Sequence, residues 1–143
     1  MERASSLLQC YLTTNYEVHG RSARERFTLR IGQREPKLAA MLARTGVQSA
    51  AFITAWHPRS VERSRKQNEV AQARLRADLL RLRCVVLPAE GVGANGAWRE
   101  PSWLALGLYP ADAKRLARRY RQNAILVCDK RGVPRLVTLQ ELT

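Results

Sequence analysis

"AFITAWHPRS", residues 51–60, decides how this chain is laid out. Ala51, Phe52, Ile53, Thr54 and Ala55 are apolar or β-branched, the composition of a core strand. The run then breaks into Trp56, His57, Pro58, Arg59 and Ser60. A core strand that ends on an aromatic, an imidazole, a proline, a guanidinium and a hydroxyl is ending at something polar.

Ser64-Arg65-Lys66-Gln67 follows and fits the capping box S-x-x-Q, which predicts a long helix over 64–83. "CVVLP" (84–88) reads as a short buried strand, and "AEGVGANGA" (89–97), with three glycines, as a flexible loop. "SWLALGL" (102–108) is a further strand, Pro110 opens a helix to about Arg121, and "NAILVC" (123–128) is a strand. Residues 49–128 therefore predict a ferredoxin-like β-α-β-β-α-β core, in which both long helices cover one face of an antiparallel sheet.

Outside this core, "LQCYLTTNYEV" (8–18) alternates loosely and pairs with "RFTLRIG" (26–32) as a predicted hairpin. A short helix over 36–45 starts at Pro36 and stops at Gly46. "VPRLVTL" (133–139) is a last strand, held to the sheet edge by Pro134. At 143 residues the expectation is one α+β domain, 1–143.

A helical wheel of 64–83 puts Ala71, Leu75, Leu79 and Leu82 on one stripe, the face toward the sheet. The same stripe runs back through Asn68 and Ser64. A carboxamide there either finds partners or costs a few kcal/mol. Asn68 lies beside the end of the 49–56 strand, so two separate features converge. In one reading Asn68 bonds the backbone of the 56–63 loop. In the other, Trp56, His57, Arg59, Ser60, Ser64 and Asn68 line a pocket at a helix N-terminus, where free N–H groups favour an anion. Trp98, Glu100, Ser102 and Gln122 stand before core strands and join the candidate site. Trp98 and Trp103 also read as hydrophobic cover, and Glu100 as the surface partner of Arg99.

His57 and Glu100 are the catalytic candidates, His57 by its near-neutral titration and Glu100 as a carboxyl beside an aromatic. No spacing supports a nucleophile triad. "EGVGANG" lacks the Lys-Ser/Thr of a phosphate loop. Cys10, Cys84 and Cys128 have no C-x-x-C spacing and read as reduced core thiols, with too few other ligands for zinc. No metal or cofactor is expected. No apolar run spans a bilayer, so the chain is expected to be cytoplasmic and without a membrane partner.

The net charge is +13 and the isoelectric point near 11.0, which attracts anions and nucleic acid. Arginines supply most of it, a skew that a GC-rich genome also produces. Eight basic and three acidic residues fall in 59–83, five basic and one acidic in 111–121.

The combination "AFITAWHPRS", Ser64…Asn68, "GAWREPSWLALG" and "RQNAILV" resembles an uncharacterised family of small bacterial proteins, over roughly residues 10–140. Its pattern is T-A-W-N-P-x-S, a downstream Asn, W-x-E-P-S and Q-N/Q-A before a strand. Here it falls on Thr54, Ala55, Trp56, Pro58, Ser60, Asn68, Trp98, Glu100, Pro101, Ser102 and Gln122, with His57 in the place of the pattern's Asn. The resemblance implies that these polar residues belong to one pattern and implies no activity. At the level of fold alone, the arrangement is analogous to PII-like proteins, with 89–101 in the place of their long loop.

Three functions follow as expectations. The first is a pocket for a small anionic ligand, a nucleotide or carboxylate metabolite. The second is nucleic-acid binding through Arg115, Arg118, Arg119 and the 64–83 helix. The third is a subunit of a homo-oligomer, with the sheet face or edge buried against a copy.

Overall fold

The structure is a computed structural model; it describes residues 2–57 and 61–139, with side chains from residue 6. Its elements are α1 (Glu2–Thr13), β1 (Asn15–Val18), β2 (Phe27–Leu29), α2 (Pro36–Thr45), β3 (Ala50–Ile53), α3 (Arg65–Arg81), β4 (Val85–Val92), β5 (Arg99–Leu106), α4 (Pro110–Arg119), β6 (Ala124–Cys128) and β7 (Pro134–Thr138). The class is mixed α and β. The strands form one sheet in the order β2-β1-β4-β5-β3-β6-β7, and every neighbouring pair is antiparallel.

Helices cover both faces, so every residue of β3 and β6 is buried. On one face Ala51, Ile53, Ile125 and Val127 pack against Leu75 and Leu79 of α3 and Leu116 of α4. On the other, Phe52, Leu104 and Leu126 pack with Leu38, Met41 and Leu42 of α2. The sheet face expected to be open to a second copy is therefore occupied by α2 and, toward the cavity described below, by α1.

The 36–45 helix forms as expected: Pro36 opens it and Gly46, at φ 77°, closes it in the left-handed region. The capping box at the start of α3 is present in both directions, Gln67 N–H to Ser64 Oγ and Ser64 N–H to Gln67 Oε1, each 3.1 Å.

Three expectations are corrected. Residues 8–13 are not strand but the end of α1. Leu7, Tyr11 and Thr14 turn inward at a spacing of four and three, the helical period. The loose alternation was carried by Tyr, Thr and Cys, which tolerate either state. The hairpin survives in shorter form, with Tyr16 opposite Leu29 and Val18 opposite Phe27. Finally, 89–97 is not a loop: β4 runs to Val92 and β5 begins at Arg99, leaving a short 3-10 turn at Ala94–Gly96. The long loop that the PII-like analogy requires is absent here.

Candidate functional site

Beyond Ile53, which faces Trp103 of β5, the chain leaves the sheet and needs new partners for its backbone. α3 supplies them. Gln72 Oε1 accepts from Ala55 N–H at 2.9 Å, and Asn68 Oδ1 accepts from His57 N–H at 3.0 Å. The spacings match: four residues of helix rise about 6 Å and two residues of strand about 6.6 Å. Asn68 Nδ2 also donates to Arg63 O at 3.3 Å, so one buried carboxamide holds both ends of the loop. Thr54 Oγ1 donates to Pro101 O at 2.7 Å and accepts from Trp56 N–H at 3.0 Å. From the far side, Gln122 Nε2 donates to Trp56 O at 3.3 Å.

His57 sits at φ 42°, in the left-handed region. Its Nδ1 accepts from Arg63 N–H at 3.1 Å and lies 3.2 Å from Asn68 Nδ2. The Arg63 N–H takes the single lone pair of Nδ1, which assigns the ring proton to Nε2.

On the α1–α2 face this strand end borders a cavity of about 430 Å³. Its walls are Leu7, Cys10 and Tyr11 of α1, Tyr16 of β1, Phe52 and His57 of the β3 segment, and Leu126 and Leu136 beyond. The strand register explains why space is left there. Tyr16, Gly91 and Glu100 lie in one row across β1, β4 and β5, and the middle position has no side chain. Trp98 covers the row: its ring lies 3.5 Å from where a Cβ on Gly91 would stand, and a Cβ on Gly93 would overlap the indole. Gly91 and Gly93 of "EGVGANG" thus seat an indole, and Gly96 makes the turn at φ 69°.

Glu100 is the one acid lining the cavity among the described residues, and no Lys or Arg lines it. Arg99, the partner expected for Glu100, points to the opposite face of β5, where it meets Glu90 at 3.2 Å and Glu17 at 3.6 Å. The Glu100 carboxylate has no hydrogen bond or ion pair among the described residues. Burial alone pushes its pKa up to about 7. Beside it, burial raises Tyr11 to about 12 against a hydrogen bond from Asn123, and raises Tyr16 further. Tyr16 donates to Tyr11 O at 2.7 Å, tying α1 to the sheet.

Of the residues singled out in the sequence, His57, Trp98, Glu100, Ser102 and Gln122 line this cavity. Trp56, Ser64 and Asn68 do not. Ser64 is exposed and caps α3; Asn68 faces the loop backbone, the first of its two readings. Arg59 and Ser60, with Pro58, lie outside the described residues. The N-terminus of α3 is taken up by its own capping box and is not a wall of the cavity. Tyr16, Phe52, Thr54 and Gly91 are not legible in the sequence, because their role depends on register between strands far apart in it, and Tyr11 is not, because 8–13 reads as strand and folds as helix. Trp103 is cover, as one reading had it: its Nε1 donates to Gln72 O at 3.0 Å and Arg76 lies 6.0 Å from its ring centre.

Cys84 and Cys128 are buried, and burial raises their thiols to about 11 and about 12. Cys10 is exposed on α1, not a core thiol. Glu17, His19 and Glu90 bring three possible metal ligands together, but the Arg99 guanidinium already sits on both carboxylates. Among the described residues no helix is long and apolar enough to cross a membrane.

The family model described as "Protein of unknown function (DUF3293)" matches residues 53–125, and the chain belongs to that family. No curated protein and no solved structure matches it. The matched span holds the end of β3, Asn68, Gln72, Trp98 and Glu100, while the α1 wall lies outside it.

Proposed function

We propose that this chain, as a member of the DUF3293 family, binds a small flat molecule that carries an ammonium, amidine or amino group, and that Glu100 receives that group. One observation carries the reading: among the described residues, a single carboxyl with no hydrogen-bond or ion-pair partner stands in a cavity walled by aromatic rings. Aromatic walls suit a planar ligand, and a desolvated carboxylate gains most from a charged donor. The anionic ligand expected from the sequence fits this lining poorly, since Glu100 repels an anion and no described guanidinium or ammonium in the lining offsets it.

The role is binding. His57 Nδ1 is committed to the loop backbone, and Glu100 is the one acid in the lining among the described residues. The frame that presents the site is read as ferredoxin-like within a single domain. The strand order β4-β5-β3-β6, with α3 and α4 on one face, supports that reading.

The test is a thermal-shift comparison of aromatic amidines and amines, neutral isosteres and carboxylates. Wild type and Gly91→Val, whose side chain fills the middle of the row, are run together. Amidines are expected to stabilise wild type and not the variant. Stabilisation by carboxylates alone, or equal shifts in both proteins, contradicts the reading.

A further inference from the structure

The strand end that borders the cavity also borders a groove on the opposite face of the sheet. This groove lies between α3 and α4, about 690 Å³ in volume, and Arg63, Arg74, Arg81, Arg119 and Arg121 line it over a floor that includes Ala55 and Ala71. One carboxylate faces it. Asp78 binds Arg81 at 3.1 Å and Arg119 at 3.4 Å and accepts the Tyr120 hydroxyl, so both of its oxygens are engaged. Among the described residues, no carboxylate lies within ion-pair reach of Arg63, Arg74 or Arg121.

We propose that this groove binds a run of phosphate groups, as a nucleic-acid backbone presents them. Guanidinium forks match phosphate oxygens in bidentate geometry, and three of the five forks here are unspent. Arg74 and Arg81 are two helical turns apart, about 10 Å along α3, a spacing for separate phosphates on one chain. The surrounding layer carries the excess charge that draws such a chain in. This relocates the expected nucleic-acid contact: Arg115 is paired with Asp112 at 2.8 Å, and neither it nor Arg118 lines the groove.

The experiment is fluorescence anisotropy with a labelled single-stranded oligonucleotide of about 20 nucleotides, titrated over salt. Three proteins are compared: wild type, the groove triple Arg63→Gln/Arg74→Gln/Arg121→Asn, and the control triple Arg30→Gln/Arg34→Gln/Arg44→Gln. Both triples remove the same charge from exposed positions, and Asn suits the left-handed backbone at 121. Equal melting temperatures establish that both fold. The groove triple is expected to bind at least tenfold more weakly and to lower the salt slope by about 2, at roughly 0.7 per lost single-strand phosphate contact. The control is expected to lose less than threefold. Displacement of the oligonucleotide by micromolar tripolyphosphate, on wild type only, assigns a free polyphosphate as the source; resistance to it assigns nucleic acid. Equal loss in the two triples, no loss in the groove triple, or tighter binding of poly-glutamate than of the oligonucleotide overturns the proposal.

Discussion

Glu100 concentrates the chemistry of this molecule in one side chain. The folded chain holds its proton up to about pH 7, whereas an unfolded glutamate releases it near pH 4.3. Between those values unfolding releases a proton, so stability falls as pH rises from about 4 to about 7 and levels off above that. Urea denaturation along that range is expected to show the decline in wild type. In Glu100→Gln it is expected to vanish, with a gain of about 1–3 kcal/mol at pH 8 after allowance for solvent at the cavity. A variant no more stable than wild type at pH 8 contradicts a desolvated carboxyl. Asn68 acts at the same scale by other means. Asn68→Ala leaves the His57 N–H and the Arg63 carbonyl without their partner. The expected cost is about 2–3 kcal/mol, with faster amide exchange at His57. Unchanged exchange there contradicts the role assigned to this carboxamide.

At the scale of elements, the end of β3 shows how a chain that leaves a sheet finds new backbone partners. Asn68 and Gln72 of α3 supply the hydrogen-bond acceptors for His57 and Ala55, and Trp56 and His57 mark where the chain passes from sheet to helix. This much was legible from the helical stripe, which singled out Asn68. Gln72, one turn later and also buried, lies at the edge of that stripe. The cavity was half legible. His57, Trp98, Glu100, Ser102 and Gln122 stand out as polar or aromatic residues at strand ends. Tyr16 and Gly91 become wall and gap only once β1, β4 and β5 are set in register, and single-strand periodicity does not contain that information. The same row yields a prediction. Gly91→Ala places its Cβ 3.5 Å from Trp98, an ordinary contact, and removes glycine's unfolded-state freedom. Its stability is expected to hold or rise by about 0.5 kcal/mol. Gly93→Ala displaces the Trp98 indole and is expected to shift its fluorescence, while Gly91→Ala does not. Identical spectra for the two variants contradict the placement of that ring.

At the scale of the molecule, one polar strand end separates two depressions of opposite character. The cavity on the α1–α2 face offers a carboxyl among aromatic rings; the groove between α3 and α4 offers five guanidiniums, three with no carboxylate partner among the described residues. The overall charge of +13 describes only the second. The sheet between them is closed on both faces, so their ligands are expected to bind without competition. Saturating tripolyphosphate should leave the affinity of an aromatic amidine unchanged within about twofold, a coupling below about 0.4 kcal/mol.

Calorimetric titration of benzamidine into wild type and Glu100→Gln, from pH 6 to pH 8 in buffers of different ionisation enthalpy, tests the central claim most directly. In wild type, affinity should rise about tenfold per pH unit up to about pH 7 and then level. Proton release should approach one per ligand at the acid end, and Glu100→Gln should abolish both effects. An affinity independent of pH, or equal in the two proteins, would show that Glu100 does not receive the ligand.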